Sequence, residues 1–165
     1  MTLAPLINAP LLIQFHMFWA LLAVLLGPVA IHRKRRDRLH KIVGYVWVAS
    51  MFMVATSALG IPAHGLAIVG PIGPIHLFVA LTYWSLWTGM RAIYRRNVQS
   101  HRTVLRGLYW QGLAIAGLFN FLPGRAVNRS LFPDTPQIGL FILAVGAAGL
   151  IWLAVAQRRR PVARI

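Results

Sequence analysis

Cysteine is absent and acid is nearly so: Asp37 and Asp134 stand alone against seventeen lysines and arginines in 165 residues. The first absence removes thiolate metal sites, disulfides and thiol redox chemistry. The second bears on transport, because no Asp or Glu falls inside any long apolar run. Coupled pumps place carboxylates at depth in the membrane, and hard-metal sites need carboxylate oxygens. Both classes are therefore argued against. No recognisable nucleophile motif for serine-type hydrolysis occurs either. Charge of both signs is scarce: only 12% of residues are charged, where a soluble domain carries about a quarter.

What is present is apolar, 58% of the chain. A membrane span needs roughly 20 mostly apolar residues. Five stretches qualify, at about 9–31, 42–61, 72–94, 103–121 and 137–157. The expected class is an all-α integral membrane protein with five transmembrane helices, treated as a single domain. The N-terminal Met-Thr-Leu-Ala-Pro lacks the positive start of a signal peptide, so the first run is expected to stay in place.

The basic residues sit in the short links. Arg33, Lys34, Arg35, Arg36, Arg38 and Lys41 follow the first run, and Arg91, Arg95, Arg96, Arg102 and Arg106 surround the third link. Arg158, Arg159, Arg160 and Arg164 close the tail, whereas Arg125 and Arg129 alone fall on the opposite side. Cationic loops mark the cytoplasmic side. That rule predicts an N-terminus that faces out and a C-terminus that faces the cytoplasm. A net charge of +15 could otherwise suggest nucleic acid, but its placement is that of membrane topology. Anionic lipid headgroups are the partners such loops favour.

The chain also repeats itself. His16-Met-Phe-Trp-Ala-Leu returns as His76-Leu-Phe-Val-Ala-Leu, with His, Phe, Ala and Leu at the same offsets. Arg35-Arg36 returns as Arg95-Arg96, and His40-Lys41 as His101-Arg102. Repeat 1 spans about 9–61 and repeat 2 about 72–121, both entering from the same side. Copies of like topology are related by an axis along the membrane normal. The expectation is a four-helix bundle built from a two-helix parallel repeat, with a flanking fifth helix at about 137–157.

Histidines are then the ionisable groups left within the membrane. His16 and His76 would lie at similar depth, about 10 Å in at 1.5 Å per residue. An imidazole in lipid needs a partner. Two neutral imidazoles across a bundle suit the axial positions of a b-type haem, and a hydrogen-bonded structural pair suits them equally. Ala20, Ala23, Gly27 and Ala30 continue the His16 face. That stripe either admits a close neighbouring helix or leaves room for a flat ligand. His40 and His101 open the two returning spans and offer a second haem level, or else anchors to lipid phosphate. Arg102 could pair with haem propionates at the inner level, and Arg125 or Arg129 at the outer; either of the latter could instead pair with Asp134. Tyr45, Trp47, Tyr109 and Trp110 read as interface aromatics or as bundle packing. Met51 and Met53 read as packing.

The openings Arg38-Leu-His40-Lys41-Ile-Val-Gly44-Tyr45 and His101-Arg102-Thr-Val-Leu-Arg-Gly107-Leu-Tyr109, with Phe121-Leu-Pro123-Gly124-Arg125, resemble a domain-of-unknown-function family of small bacterial membrane proteins over most of residues 12–126. That resemblance implies a polytopic helical fold. More distantly, the layout is similar to the di-haem transmembrane cytochrome b superfamily, in which haem b would carry electrons. The functional expectation is a haem-binding electron-transfer protein of the bacterial inner membrane, with His16 and His76 as its preferred haem site and the N-terminus in the periplasm, and if an enzyme, a membrane oxidoreductase component. The alternatives are an accessory subunit of a larger membrane complex and a quinone- or small-molecule-binding protein.

Overall fold

The computed structural model describes residues 2–33, 35–62, 73 and 75–158. In chain order these form α1 (Ala4–Ile7), α2 (Leu11–His32), α3 (Arg38–Ala58), α4 (Ile75–Tyr94) and α5 (Val98–Gly107). A π-helical turn (Leu108–Leu113), α6 (Ala114–Leu118), a 3-10 turn (Phe119–Phe121), α7 (Ala126–Leu131) and α8 (Ile138–Arg158) follow. No strand occurs among the described residues. The chain divides into two compact units, Ala9–Ala116 and Met1–Asn8 with Gly117–Ile165. His64 and its proline/glycine link, Lys34 and the arginines of the tail beyond 158 lie outside the described residues.

Among the described residues two helices are long and apolar enough to cross a membrane, α2 and α3. The described apolar part of α8, Ile138–Trp152, is shorter. Of the other expected spans, α4 has the length but carries Thr82, Tyr83, Trp84, Ser85, Trp87 and Thr88. The run expected at 103–121 is helical throughout but changes type three times, at Leu108, Ala114 and Phe119. The large side chains Leu11, Phe18, Leu25, Trp84 and Trp87 are exposed along α2 and α4. A monomeric soluble protein rarely leaves such apolar surface open, whereas a lipid-facing helix does so by necessity.

In the larger unit, α2 packs along α3, α3 along α4 and α4 along α5, while α5 and the π turn reach back to α2. The four helices thus form a closed ring, with α2 diagonal to α4 and α3 diagonal to α5. Asp37 starts α3 by capping, its Oδ1 accepting from the backbone N–H of His40 at 3.0 Å. Asn97 starts α5 in the same way, accepting from Ser100 N–H at 2.9 Å. Such caps satisfy donors that the first turn cannot pair internally.

The core holds Ala23, Trp47, Met51, Leu86, Leu105, Leu108 and Tyr109. Its geometry turns on Pro28. A proline has no N–H, so the carbonyl four residues earlier loses its helical donor. That carbonyl belongs to Val24, and the Tyr109 hydroxyl donates to it at 3.1 Å. Gly27 opens the space: a Cβ there would lie 2.1 Å from Tyr109 Cε2. One turn earlier, Trp47 Nε1–H donates to Ala23 O at 3.1 Å. At Ala23 and Gly27 the small-residue stripe is therefore filled by two aromatic rings, Trp47 and Tyr109, while Ala30 lines a hollow. The expected interface aromatics separate accordingly. Trp47 (2% exposed) and Tyr109 (9%) are core, and Tyr45 (59%) and Trp110 (51%) face outward.

In the smaller unit, Asn128 is fully buried. Its amide donates to Phe121 O at 2.8 Å and to Pro136 O at 2.9 Å, tying the turns on either side of α7. Gly139, at the start of α8, backs onto that clamp.

Candidate functional site

Asp37 fixes more than a helix start. It joins Arg33 in the only ion pair among the described residues, with Arg33 Nε donating to Oδ1 at 2.8 Å. The guanidinium beside it, with the His40 backbone N–H, holds the Asp37 carboxyl well below the usual carboxylate range. A depressed folded pKa stabilises the fold above the unfolded value and loses that contribution as pH falls through the folded one. Asp37→Ala is thus expected to melt below the wild type at neutral pH. Between about pH 4, the unfolded carboxylate value, and more acid conditions, the wild type should converge on the variant. Melting curves in detergent across that range check it; parallel curves at every pH would refute the pairing.

The bond from Asp37 seats the first turn of α3, and with it His40. Diagonally opposite, His101 lies on the first turn of α5, where its Nδ1 sits 2.9 Å from Gly89 O on α4. A carbonyl accepts only, so His101 Nδ1 carries the proton and Nε2 keeps its lone pair. Gly89 permits this approach: a Cβ there would come within 2.5 Å of Leu105 Cδ2. His40 Nδ1 is buried with no hydrogen-bond partner.

Both line one hollow of about 1060 Å³, its open mouth included, at the end of the ring that carries the basic links. Its walls combine Ile31, Val48, Met90 and Ile93 with the cations Arg33, Arg35, Arg36, Lys41, Arg102 and Arg106. Trp47 and Leu105 belong to both its lining and the core, so the hollow ends on packed side chains. Of the six cations only Arg33 has an acidic partner among the described residues. Cations gathered on an apolar wall without acids favour an amphipathic anion. The sequence reading pointed to His40, His101 and the cations beside them, Lys41 and Arg102, and took Arg33, Arg35, Arg36 and Arg106 as topology signals.

The outer pair is arranged differently. His16 Nδ1 lies 2.9 Å from Ser57 Oγ on α3. The Ser57 hydroxyl already donates to Met53 O at 2.7 Å, so the imidazole donates to the serine oxygen. His76 Nδ1 accepts the backbone N–H of Gly73 at 3.1 Å, which places its proton on Nε2. Among the described residues α2 and α4 do not pack along each other. Each outer histidine thus has its own local partner, and His76 offers no lone pair at Nε2. Arg125 precedes α7 and Arg129 is exposed near its end, both in the smaller unit. Asp134 is exposed and joins neither of them. Met51 is buried in the core. No cluster of three or more metal-binding side chains occurs among the described residues.

Comparison with known proteins adds a family and nothing more specific. No curated protein and no solved structure matches the chain. The family model described as "Predicted membrane protein (DUF2306)" matches residues 13–158, which takes in every helix of the ring and all four histidines of the two pairs; the chain belongs to that family of membrane proteins.

Proposed function

We propose that the protein is a b-type haem electron carrier of the inner membrane, with its cofactor between His40 and His101. The observation that carries this reading is the shared hollow: two diagonal imidazoles, an apolar wall, and cations lacking acids. The fit is chemical. Haem is an amphipathic dianion whose iron takes imidazole nitrogens at opposite poles. His101 holds a lone pair at Nε2 because Gly89 O fixes the proton on Nδ1, the arrangement that orients and strengthens a metal-bound histidine. Lys41, Arg102 and Arg106 would meet the propionates in charge-assisted hydrogen bonds. Trp47 and Leu105 keep water from the inner end. Haem would supply a one-electron couple, and the polypeptide would make no bond to substrate. The basic end then faces the cytoplasm, and a quinone or a partner subunit would exchange the electron.

The inner pair replaces the outer as the preferred site, because His76 already accepts a backbone proton. A second reading has support from the same cations: an anionic lipid headgroup would also satisfy them, as in an accessory subunit. A reduced-minus-oxidised spectrum of protein purified after haem-replete expression separates the two. Haem bands are expected, and they should vanish in His101→Ala while surviving in His16→Ala. A wild type without bands, co-purifying with anionic lipid, would retire the electron carrier.

A further inference from the structure

The two histidines of the hollow are held unequally. His101 is braced, its Nδ1 proton resting on Gly89 O at 2.9 Å. His40 has nothing to brace it: Nδ1 is buried and meets no acceptor. Its backbone is pinned by Asp37, but its ring is not. Removing the outer hydrogen bond of a metal-bound histidine typically lowers metal affinity by about 10–100-fold. Arg36 and Arg102 line the same hollow as His40. The hollow is open at its mouth, so a small molecule has a way in.

We infer that His40 is an exchangeable axial ligand, and that the site binds a small neutral diatomic molecule in its place. The inference rests on the haem reading and goes beyond it, since a carrier with two braced ligands has no free position. His101 is the fixed pole. On ligand entry the His40 nitrogen gives up its coordinate bond and the incoming molecule donates its own electron pair. Charge, protons and oxidation state are unchanged. The chain would then respond to a dissolved gas at its basic end, with α3 as the element released. The shared lining of Trp47 with the core is the route by which that release would be felt deeper in the ring.

Carbon monoxide is the probe. The purified wild-type protein, loaded with haem and reduced, is mixed with CO and its spectrum followed. A shift of the Soret band that saturates with CO is expected. His40→Ala should keep its haem and bind CO faster than the wild type. His101→Ala should lose the haem. Haem present but unmoved by CO in the wild type would overturn the inference and leave the electron carrier standing. Equal haem loss in His40→Ala and His101→Ala would overturn it too, since it would make the two ligands equivalent. No haem in the wild type would remove both readings together.

Discussion

Gly27→Val should lose most of its folded yield, and Gly27→Ala should melt roughly 5 °C or more below the wild type. Even the Cβ of alanine lands 2.1 Å from Tyr109 Cε2 and 2.3 Å from Cδ2. The tyrosine ring cannot swing clear without breaking its hydroxyl bond to Val24 O. Overpacking of this kind costs about 1–3 kcal/mol. The hydrogen bond adds less, about 0.6 and at most about 1.7 kcal/mol for bonds between membrane helices. Sterics therefore outweigh polarity at this notch, and the order of damage should be Gly27→Val, Gly27→Ala, then Tyr109→Phe. Pairing Gly27→Ala with Tyr109→Ala should cost less than the two singles added together, because the second change removes the clash. Melting of the five variants in detergent, the double and its two singles included, decides the matter. Wild-type stability in Gly27→Ala would mean that Tyr109 does not occupy the notch.

The notch shows what could be read in the chain and what could not. Pro28 and Gly27 are adjacent in sequence, and the first dictates an orphaned carbonyl at Val24 by covalent structure alone. Its partner is 85 residues away, in a π-helical turn that no periodicity announces. The small-residue stripe pointed to the right face of α2 and left its occupant open. Helix placement was legible because apolar length is local. The starts were not: α3 begins at Arg38 and α5 at Val98, capped by Asp37 and Asn97, ahead of the 42 and 103 that apolar length suggests. The run around Leu108 was blurred by the change of helix type. The site was legible by half. The histidine repeat named all four imidazoles, yet hydrogen bonds to Gly73, Ser57 and Gly89 decide which nitrogen is free, and none of these partners is fixed by spacing. Placement in the link explained the arginines as topology signals. It says nothing about whether they also turn inward on a hollow.

At Asn128 the expected result depends on pH. The side chain is fully buried, with its amide donating to Phe121 O and Pro136 O and its own oxygen unpartnered. Asn128→Ala removes both donors, at about 1–3 kcal/mol for each acceptor left unmet, and this loss should be the same at every pH. Asn128→Asp keeps the shape but changes the chemistry. An ionised carboxylate only accepts, and here it would face two carbonyl oxygens, so the folded state holds it protonated and raises its pKa. Below the unfolded carboxylate value, about 3.9, both states are neutral and one donor survives, so Asn128→Asp should melt above Asn128→Ala. As pH rises through that value the unfolded chain ionises while the folded one resists, and stability falls with pH. By neutral pH Asn128→Asp should therefore melt below Asn128→Ala, the two curves crossing between. Gly139 leaves no slack to soften this, because its backbone already lies against Phe121 O and the Asn128 amide. Using Asn128→Ala as the reference at each pH cancels the acid sensitivity that Asp37 brings. Curves that run parallel would show that the amide's two donor bonds do not hold the turns around α7.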